Sequence, residues 1–191
     1  MAGPLAQAAE WLAYAAGAGA PEADAGALAT AGADARPSVR FVLVKGIDER
    51  GVRFFTNHGS RKGRELEVNS VAALAMWWPS LQRQLRVEGP VERLPAAESD
   101  EYFASRSRGS QLGAWASRQG SAIGGREELE ARVAELGARF GEDVPRPQWW
   151  GGYLLRPEAV EFWEGRPNRL HDRTHYVREA GGGWRSERLS P

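Results

Sequence analysis

The run Ser38-Val39-Arg40-Phe41-Val42-Leu43-Val44-Lys45 alternates, Ile47-Asp48-Glu49-Arg50-Gly51 interrupts it, and Val52 to Thr56 resumes an extended pattern. Period-two alternation is a strand signature, and two such runs around a polar turn predict a β-hairpin. Val39, Phe41 and Leu43 share one face; Arg40, Val42 and Val44 share the other. Upstream, Gly26 to Ala31 reads as a short strand after a Gly/Ala/Pro linker over 17–26. Residues 4–17 read as an amphipathic helix, with Pro4 in its first turn and Leu5, Ala8, Leu12 and Ala15 at helical spacing.

Downstream, Asn57 to Gly59 is a loop, and Ser60 is suited to N-cap a short helix through Val68. Val71 to Trp78 and Leu81 to Leu94 form a second hairpin about Pro79-Ser80, and Pro95 to Arg106 is a helix. Arg126 to Gly141 carries Leu129, Val133, Leu136 and Phe140 on one helical stripe. Trp149 to Leu155, Ala159 to Trp163, Thr174 to Arg178 and Trp184 to Leu189 read as strands, with Gly181-Gly182-Gly183 as the last turn. Roughly eight strands joined mainly by hairpins predict a mainly β, α+β chain built on an antiparallel barrel. The domain plan is an N-terminal helix and linker over 1–26 and one barrel domain over 27–191.

The 191 residues carry a formal net charge of zero, which argues against bulk binding of nucleic acid. The first 35 residues hold no Lys or Arg and four acids, so the rest carries all 25 basic residues against 21 acids. A modest positive excess suits small anions better than a polyanion. Cysteine is absent, which excludes disulfides and thiolate chemistry and fits a reducing compartment. No apolar run approaches the roughly 20 residues needed to span a bilayer. The Ala-rich N-terminus lacks a basic n-region, so the expected location is the cytoplasm.

Several clusters point to an anionic, ring-shaped ligand. Ser60-Arg61-Lys62 sets two cations at a helix start, where free N–H groups already favour an anion. Arg169, His171 and Arg173 alternate after the aromatic run Glu161-Phe162-Trp163, so an extended chain would aim all three one way. Tyr102 and Arg106 lie four apart on a helix, with Ser110 in the following loop; together they suit a phosphate monoester. Gln82 and Gln84 offer amide donors and acceptors from one strand face. Arg40 and Lys45 fall on opposite faces, and reach one ligand only if the strand bulges or a side chain wraps an end. Each cluster alone also reads as solvated surface charge; it is the presence of two anion sites that favours a pair of phosphates. No G-x-G-x-x-G follows a strand, no G-x-x-x-x-G-K-[ST] occurs, and the three histidines lack zinc-ligand spacing.

The chain resembles the pyridoxine/pyridoxamine 5′-phosphate oxidases over about residues 27–191. The resemblance is carried by Arg36-Pro37-Ser38-Val39-Arg40, Val42-Leu43-Val44-Lys45, Phe55-Thr56-Asn57, Ser60-Arg61-Lys62, Arg83-Gln84, Tyr102-Phe103, Ser110 to Trp115, Ser117-Arg118-Gln119, Trp149 to Gly152, Glu161 to Trp163 and Arg169 to Arg173. It implies an antiparallel split β-barrel of the FMN-binding type, in a homodimer with FMN between the subunits. It implies FMN contacts from Arg40, Phe41, Val42, Leu43, Val44, Lys45, Phe55, Thr56, Arg61, Lys62, Gln84, Gln119, Trp163 and Arg173. It implies substrate contacts from Lys45, Tyr102, Arg106, Ser110, Arg169 and His171, with Arg169 and His171 beside the reacting carbon. The implied reaction oxidises pyridoxine or pyridoxamine 5′-phosphate to pyridoxal 5′-phosphate, with oxygen as acceptor and hydrogen peroxide as by-product. Two alternatives stay open: a sister flavin oxidase acting on a phenazine precursor or another aromatic, and a non-catalytic flavin- or pyridoxal-phosphate-binding protein. Three departures from the family pattern stand out. Gly120 follows Gln119 where Ser is usual, Phe55 replaces a common Tyr, and no basic residue precedes Arg36 to form the family's N-terminal lid.

Overall fold

A computed structural model describes residues 3–191. Its elements are α1 (Pro4–Gly17), β1 (Ala25–Ala31), β2 (Pro37–Asp48), β3 (Gly51–Asn57), α2 (Arg61–Val68), β4 (Val71–Trp78), β5 (Arg83–Arg93), α3 (Ala96–Ser105), α4 (Arg108–Ala116), α5 (Arg126–Phe140), β6 (Trp150–Leu155), β7 (Ala159–Glu164), β8 (Asp172–Arg178) and β9 (Trp184–Arg188). The strands run in the order β4-β1-β2-β3-β6-β5, and β5 pairs back to β4 to close an antiparallel barrel. β7, β8 and β9 continue the sheet outward from β5.

β5 makes both the closure and the branch. Its residues 83–90 pair with β4, 83–88 pair with β7, and 91–93 turn to β6. Gly89 sits where the strand changes partner. A Cβ there would come within 2.2 Å of the Arg156 carbonyl oxygen, so the crossing needs a residue without a side chain.

The alternation in β2 resolves clearly. Val42 and Val44 point into the barrel with Leu28, Phe54, Leu74, Met76, Leu85 and Val87. Val39 and Phe41 face outward and are 69% and 75% exposed, beside Ala27 and Ala29 of β1 in register. Trp77 on β4 is also outward, at 47%. The outer sheet face is thus apolar across β2, β1 and β4.

The helix α1 docks on the barrel through Leu5, Ala8, Trp11 and Ala15. The Trp11 ring meets Phe162 edge-on at 4.9 Å and Trp78 at 6.4 Å. Burial of side chains this size is worth about 1.5–3 kcal/mol each, enough to hold the helix in place. A second, smaller core of Phe103, Leu112, Val144 and Trp150 lies under α3, α4 and α5. No helix among the described residues is long and apolar enough to cross a membrane.

The structure corrects four local expectations. The first hairpin turns on Glu49-Arg50 alone, with strand pairing from Asp48 to Gly51. The segment after Arg106, expected as loop, contains α4, capped by the Ser107 hydroxyl accepting from the Ser110 N–H. β5 begins at Arg83: Leu81 lies in a 3-10 turn and Gln82 takes a left-handed conformation with φ 51°, so Gln82 and Gln84 do not share a strand face. β8 begins at Asp172 rather than Thr174, while Arg169 to His171 precede it in a 3-10 turn and its exit, with consequences for the Arg169–Arg173 run described below.

Candidate functional site

The first anion site is built at the junction of β3 and α2. Ser60 caps α2, its hydroxyl accepting from the Gly63 N–H, and the Asn57 side chain accepts from the Gly59 N–H at 2.8 Å. Lys62 turns inward and is only 5% exposed. Its ammonium donates to Thr56 Oγ1 at 3.1 Å and Ser60 Oγ at 3.4 Å, and among the described residues no carboxylate pairs with it. Burial, and then repulsion from Arg40, push its pKa down. A buried cation without a counter-ion costs several kcal/mol, and an arriving phosphate removes that cost.

Arg61 shows a complementary arrangement. Its Nε donates to Glu65 Oε1 at 2.8 Å while its side chain is 65% exposed, leaving the end of the guanidinium outward. Glu65 also accepts from Thr30 Oγ1 and Ser38 Oγ, both at 2.6 Å, and from Arg40 at 3.2 Å. Burial pushes this carboxyl up, but the hydrogen bonds from Ser38, Thr30, Arg61 and Arg40 outweigh it and hold it at about 2. Arg40 is committed to this cluster. Its guanidinium also donates to the Leu28 carbonyl, Thr30 and Ser38, so it points away from the second site.

That second site is a cleft of about 420 Å³ lined by Leu43, Lys45, Phe55, Thr56, Asn57, Tyr102, Arg106, Ser107, Ser110, Gln119 and Trp150. Phe55 stacks on Tyr102 at 3.9 Å and on Trp150 at 5.7 Å. Gly152 lies opposite Phe55 in register, where a Cβ would fall 2.8 Å from the Phe55 ring; the missing side chain admits the stack. Arg106 caps α3 rather than lying in it, and its guanidinium carbon sits 4.7 Å above Trp150. Its Nη1 is buried and has no hydrogen-bond partner among the described residues. Burial lowers its pKa, partly offset by Tyr102. An orphaned, buried guanidinium nitrogen is costly unless a ligand supplies the acceptor. Thr56 joins the two sites, donating to Gln119 Oε1 at 3.1 Å while accepting from Lys62.

Lys45 reaches the cleft through a bulge. Val44 pairs with Phe54 and Gly46 with Arg53, so Lys45 is the extra residue of β2. The bulge does not bring Arg40 along, and the two cations serve different sites.

A third group lies elsewhere, on the β5–β7–β8 side. Gln84 sits in register between Trp77 and Trp163, whose rings meet at 5.6 Å. The His171 ring lies 4.5 Å from Trp163, and its Nδ1 accepts from the Arg166 N–H at 3.2 Å. Arg169 ends a 3-10 turn with φ 61°, after Asn168 at φ 58°. The expected common face of Arg169, His171 and Arg173 therefore does not form. Arg173 turns to Glu161, donating from Nε at 2.7 Å and Nη2 at 3.2 Å, and its Nη1 donates to the Ser190 carbonyl. None of Gln84, Trp163, Arg169 or His171 lines the cleft of Arg106.

Asp24, Glu65, Glu161 and Trp150 were missed as site residues. Three are acids that hold site cations, Lys45, Arg61 and Arg173 in turn. Only Glu65 left a local signal, four residues after Arg61.

The family model described as pyridoxamine 5′-phosphate oxidase matches residues 15–140, and the one described as the pyridoxine 5′-phosphate oxidase C-terminal dimerisation region matches 150–191. The chain belongs to the pyridoxine/pyridoxamine 5′-phosphate oxidase family. A relative of that name from Rubrobacter xylanophilus is 58% identical over 189 residues, 98% of this chain and 87% of the relative. Another from Burkholderia multivorans is 54% identical over 190 residues, 98% of this chain and 89% of the relative. Among solved structures, PhzG from Burkholderia lata 383, in complex with tetrahydrophenazine-1-carboxylic acid, superposes with a TM-score of 0.95 at 37% identity, covering all of this chain and 94% of that one. A pyridoxamine 5′-phosphate oxidase-related, FMN-binding protein from Nostoc punctiforme matches at a TM-score of 0.79 and 21% identity, over 94% of this chain and 95% of that one, and shares the fold. The oxidase family therefore accounts for the closed barrel with its added strands, and the chain carries that family's dimerisation region at β6 to β9.

Proposed function

We propose that this chain is an FMN-dependent oxidase that converts pyridoxine or pyridoxamine 5′-phosphate to pyridoxal 5′-phosphate, with oxygen as acceptor. The observation that carries this reading is the buried Arg106 Nη1 without a partner, in a cleft that also holds Lys45, Tyr102 and Ser110. A phosphate monoester supplies the acceptor oxygens these donors need. The names of the curated relatives support the same substrate class.

The residues fit a flavin mononucleotide. Lys62, Arg61 and the start of α2 would hold its single phosphate, and the chain has no dinucleotide fingerprint. A bound flavin would supply the redox chemistry, as acceptor of a hydride equivalent that oxygen then takes up. The chain supplies position. Lys45, Tyr102, Arg106 and Ser110 grip the substrate phosphate, converting remote binding into orientation at the reacting carbon. Arg169 and His171, contributed by a second copy, would stand beside that carbon, with His171 steadied by Trp163 and the Arg166 N–H.

A homodimer completes the site. The phosphate clamp and the Arg169/His171 group lie apart within one chain, and the exposed Val39, Phe41 and Trp77 face offers the apolar surface that a second copy would cover. The dimerisation region matched at 150–191 supports this arrangement.

A second reading is an oxidase of a phenazine-type carboxylic acid, favoured by the likeness to PhzG. The two separate in one assay. Purified protein is checked for flavin absorbance, and peroxide is measured with pyridoxine 5′-phosphate, pyridoxamine 5′-phosphate and a reduced phenazine carboxylate. Turnover of the phosphates supports the first reading; turnover of the phenazine alone supports the second. Bound flavin with no turnover would indicate a carrier protein.

A further inference from the structure

Lys45 is paired within its own chain. Its Nζ donates to Asp24 Oδ2 at 2.6 Å. The Asp24 carbonyl also accepts from the Val44 N–H at 2.7 Å, which pins the acid's backbone beside the bulge in β2. Asp24 does not line the cleft of Arg106; it lines a separate groove along α1 with Leu12, Ala20 and Ile47. Lys45 thus stands between a carboxylate on the α1 side and the anion clamp on the other. The pair is partly open to solvent, its side chains 26% and 36% exposed, so exchange with a ligand is physically accessible.

We infer that Asp24 is a built-in counter-ion that limits how tightly the cleft holds a phosphate, and so sets the enzyme's preference between phosphorylated and unphosphorylated ligands. This rests on the reading of the cleft as the substrate's phosphate site. Lys45 and Arg106 together would balance a phosphate dianion. With Asp24 on Lys45, the three groups carry the net charge of a single cation. A phosphate at the clamp must either displace the carboxylate from Lys45 or sit beside it, and both weaken its binding. The contact is made alike by substrate and product, because both carry the same phosphate. Asp24 therefore acts on their affinity together and favours release of the product.

The test uses the flavin-loaded protein and two inert ligands: 4-deoxypyridoxine 5′-phosphate, which has no oxidisable group at C4′, and 4-deoxypyridoxine. Asp24→Asn keeps a hydrogen-bond acceptor for Lys45 and removes only the charge. By calorimetric titration, Asp24→Asn should bind the phosphate roughly two- to fivefold more tightly than the wild type, as expected for loss of a partly exposed ion pair. Affinity for unphosphorylated 4-deoxypyridoxine should not change. In a Lys45→Met background the gain from Asp24→Asn should shrink, showing that the effect runs through the lysine. If Asp24→Asn binds the phosphate equally or more weakly, while Arg106→Ala still weakens it, the cleft reading stands and the role given to Asp24 is overturned. If neither Arg106→Ala nor Lys45→Met weakens the phosphate, the cleft is not its site and both readings fail.

Discussion

Arg61 is tethered by its Nε to Glu65 Oε1 at 2.8 Å, one helical turn further along α2, while the rest of its side chain stays outward. The carboxylate holds the base of the guanidinium and leaves its forked end available for a phosphate. Arg61→Ala removes a charge-assisted contact worth about 1.5–3 kcal/mol, so flavin affinity should fall by roughly ten- to a hundredfold. Glu65→Gln keeps most of the shape, loses the tether's charge, and should weaken flavin binding less. Fluorescence titration of apoprotein with FMN measures both. Unchanged flavin affinity with a raised substrate KM would mean that the two phosphate sites are assigned the wrong way round.

Arg106 and Arg169 are both cations of the proposed active site, yet their surroundings differ. Arg106 is half-buried over Trp150, whereas Arg169 ends an exposed 3-10 turn. Arg106 should grip a phosphate alike in ground and transition states, so Arg106→Ala should chiefly raise KM. Arg169 should act near the reacting carbon, so Arg169→Ala should lower kcat as well. Steady-state kinetics with pyridoxine 5′-phosphate at saturating FMN distinguishes them, and matching profiles would refute the division of roles.

Phe41 is 75% exposed on the outer face of β2 and contributes nothing to the barrel interior. Phe41→Asp should therefore leave the barrel folded but weaken subunit association. A central interface aromatic is commonly worth about 2 kcal/mol or more, roughly thirtyfold in the dimer constant. Sedimentation velocity should show monomer appearing together with loss of bound flavin. A variant that stays dimeric and yellow would place the interface elsewhere.

His58 sits on the loop that leads into α2, its Nδ1 3.1 Å from the Tyr153 hydroxyl. Burial, with help from Arg93 and Arg146 against an opposing Glu67, lowers its pKa from 6.5 to about 4. The unfolded chain therefore binds a proton at this site before the folded chain does. Stability is fully present above about pH 6.5 and is lost as pH falls towards 4. Glu65 acts lower, between its ordinary 4.5 and about 2, so the two windows separate. Urea midpoints measured at pH 7 and pH 5 should differ in the wild type and differ less in His58→Gln. An equal pH dependence in the variant would remove His58 as the cause.

The order of the strands and of the helices other than α4, the N-cap at Ser60 and the apolar alternation of β2 were determined by the sequence alone, because each depends on neighbours a few residues apart. The family's blocks were legible in the same way, and with them the residues that the cleft brings together: Lys45, Phe55, Thr56, Tyr102, Arg106, Ser110 and Gln119. Tertiary structure alone decided which cations stay free. Arg40 pairs with Glu65 and Arg173 with Glu161, while Arg106 and Lys62 have no acid partner among the described residues. It alone placed Asp24 on Lys45, 21 residues apart in sequence, through strand pairing and a one-residue bulge. It also bent the Asn168-Arg169 backbone into a left-handed turn, where alternation had suggested a strand. Periodicity reports which face a residue occupies; the charge at a site depends on which distant side chains pack beside it, and that is settled only when the barrel closes.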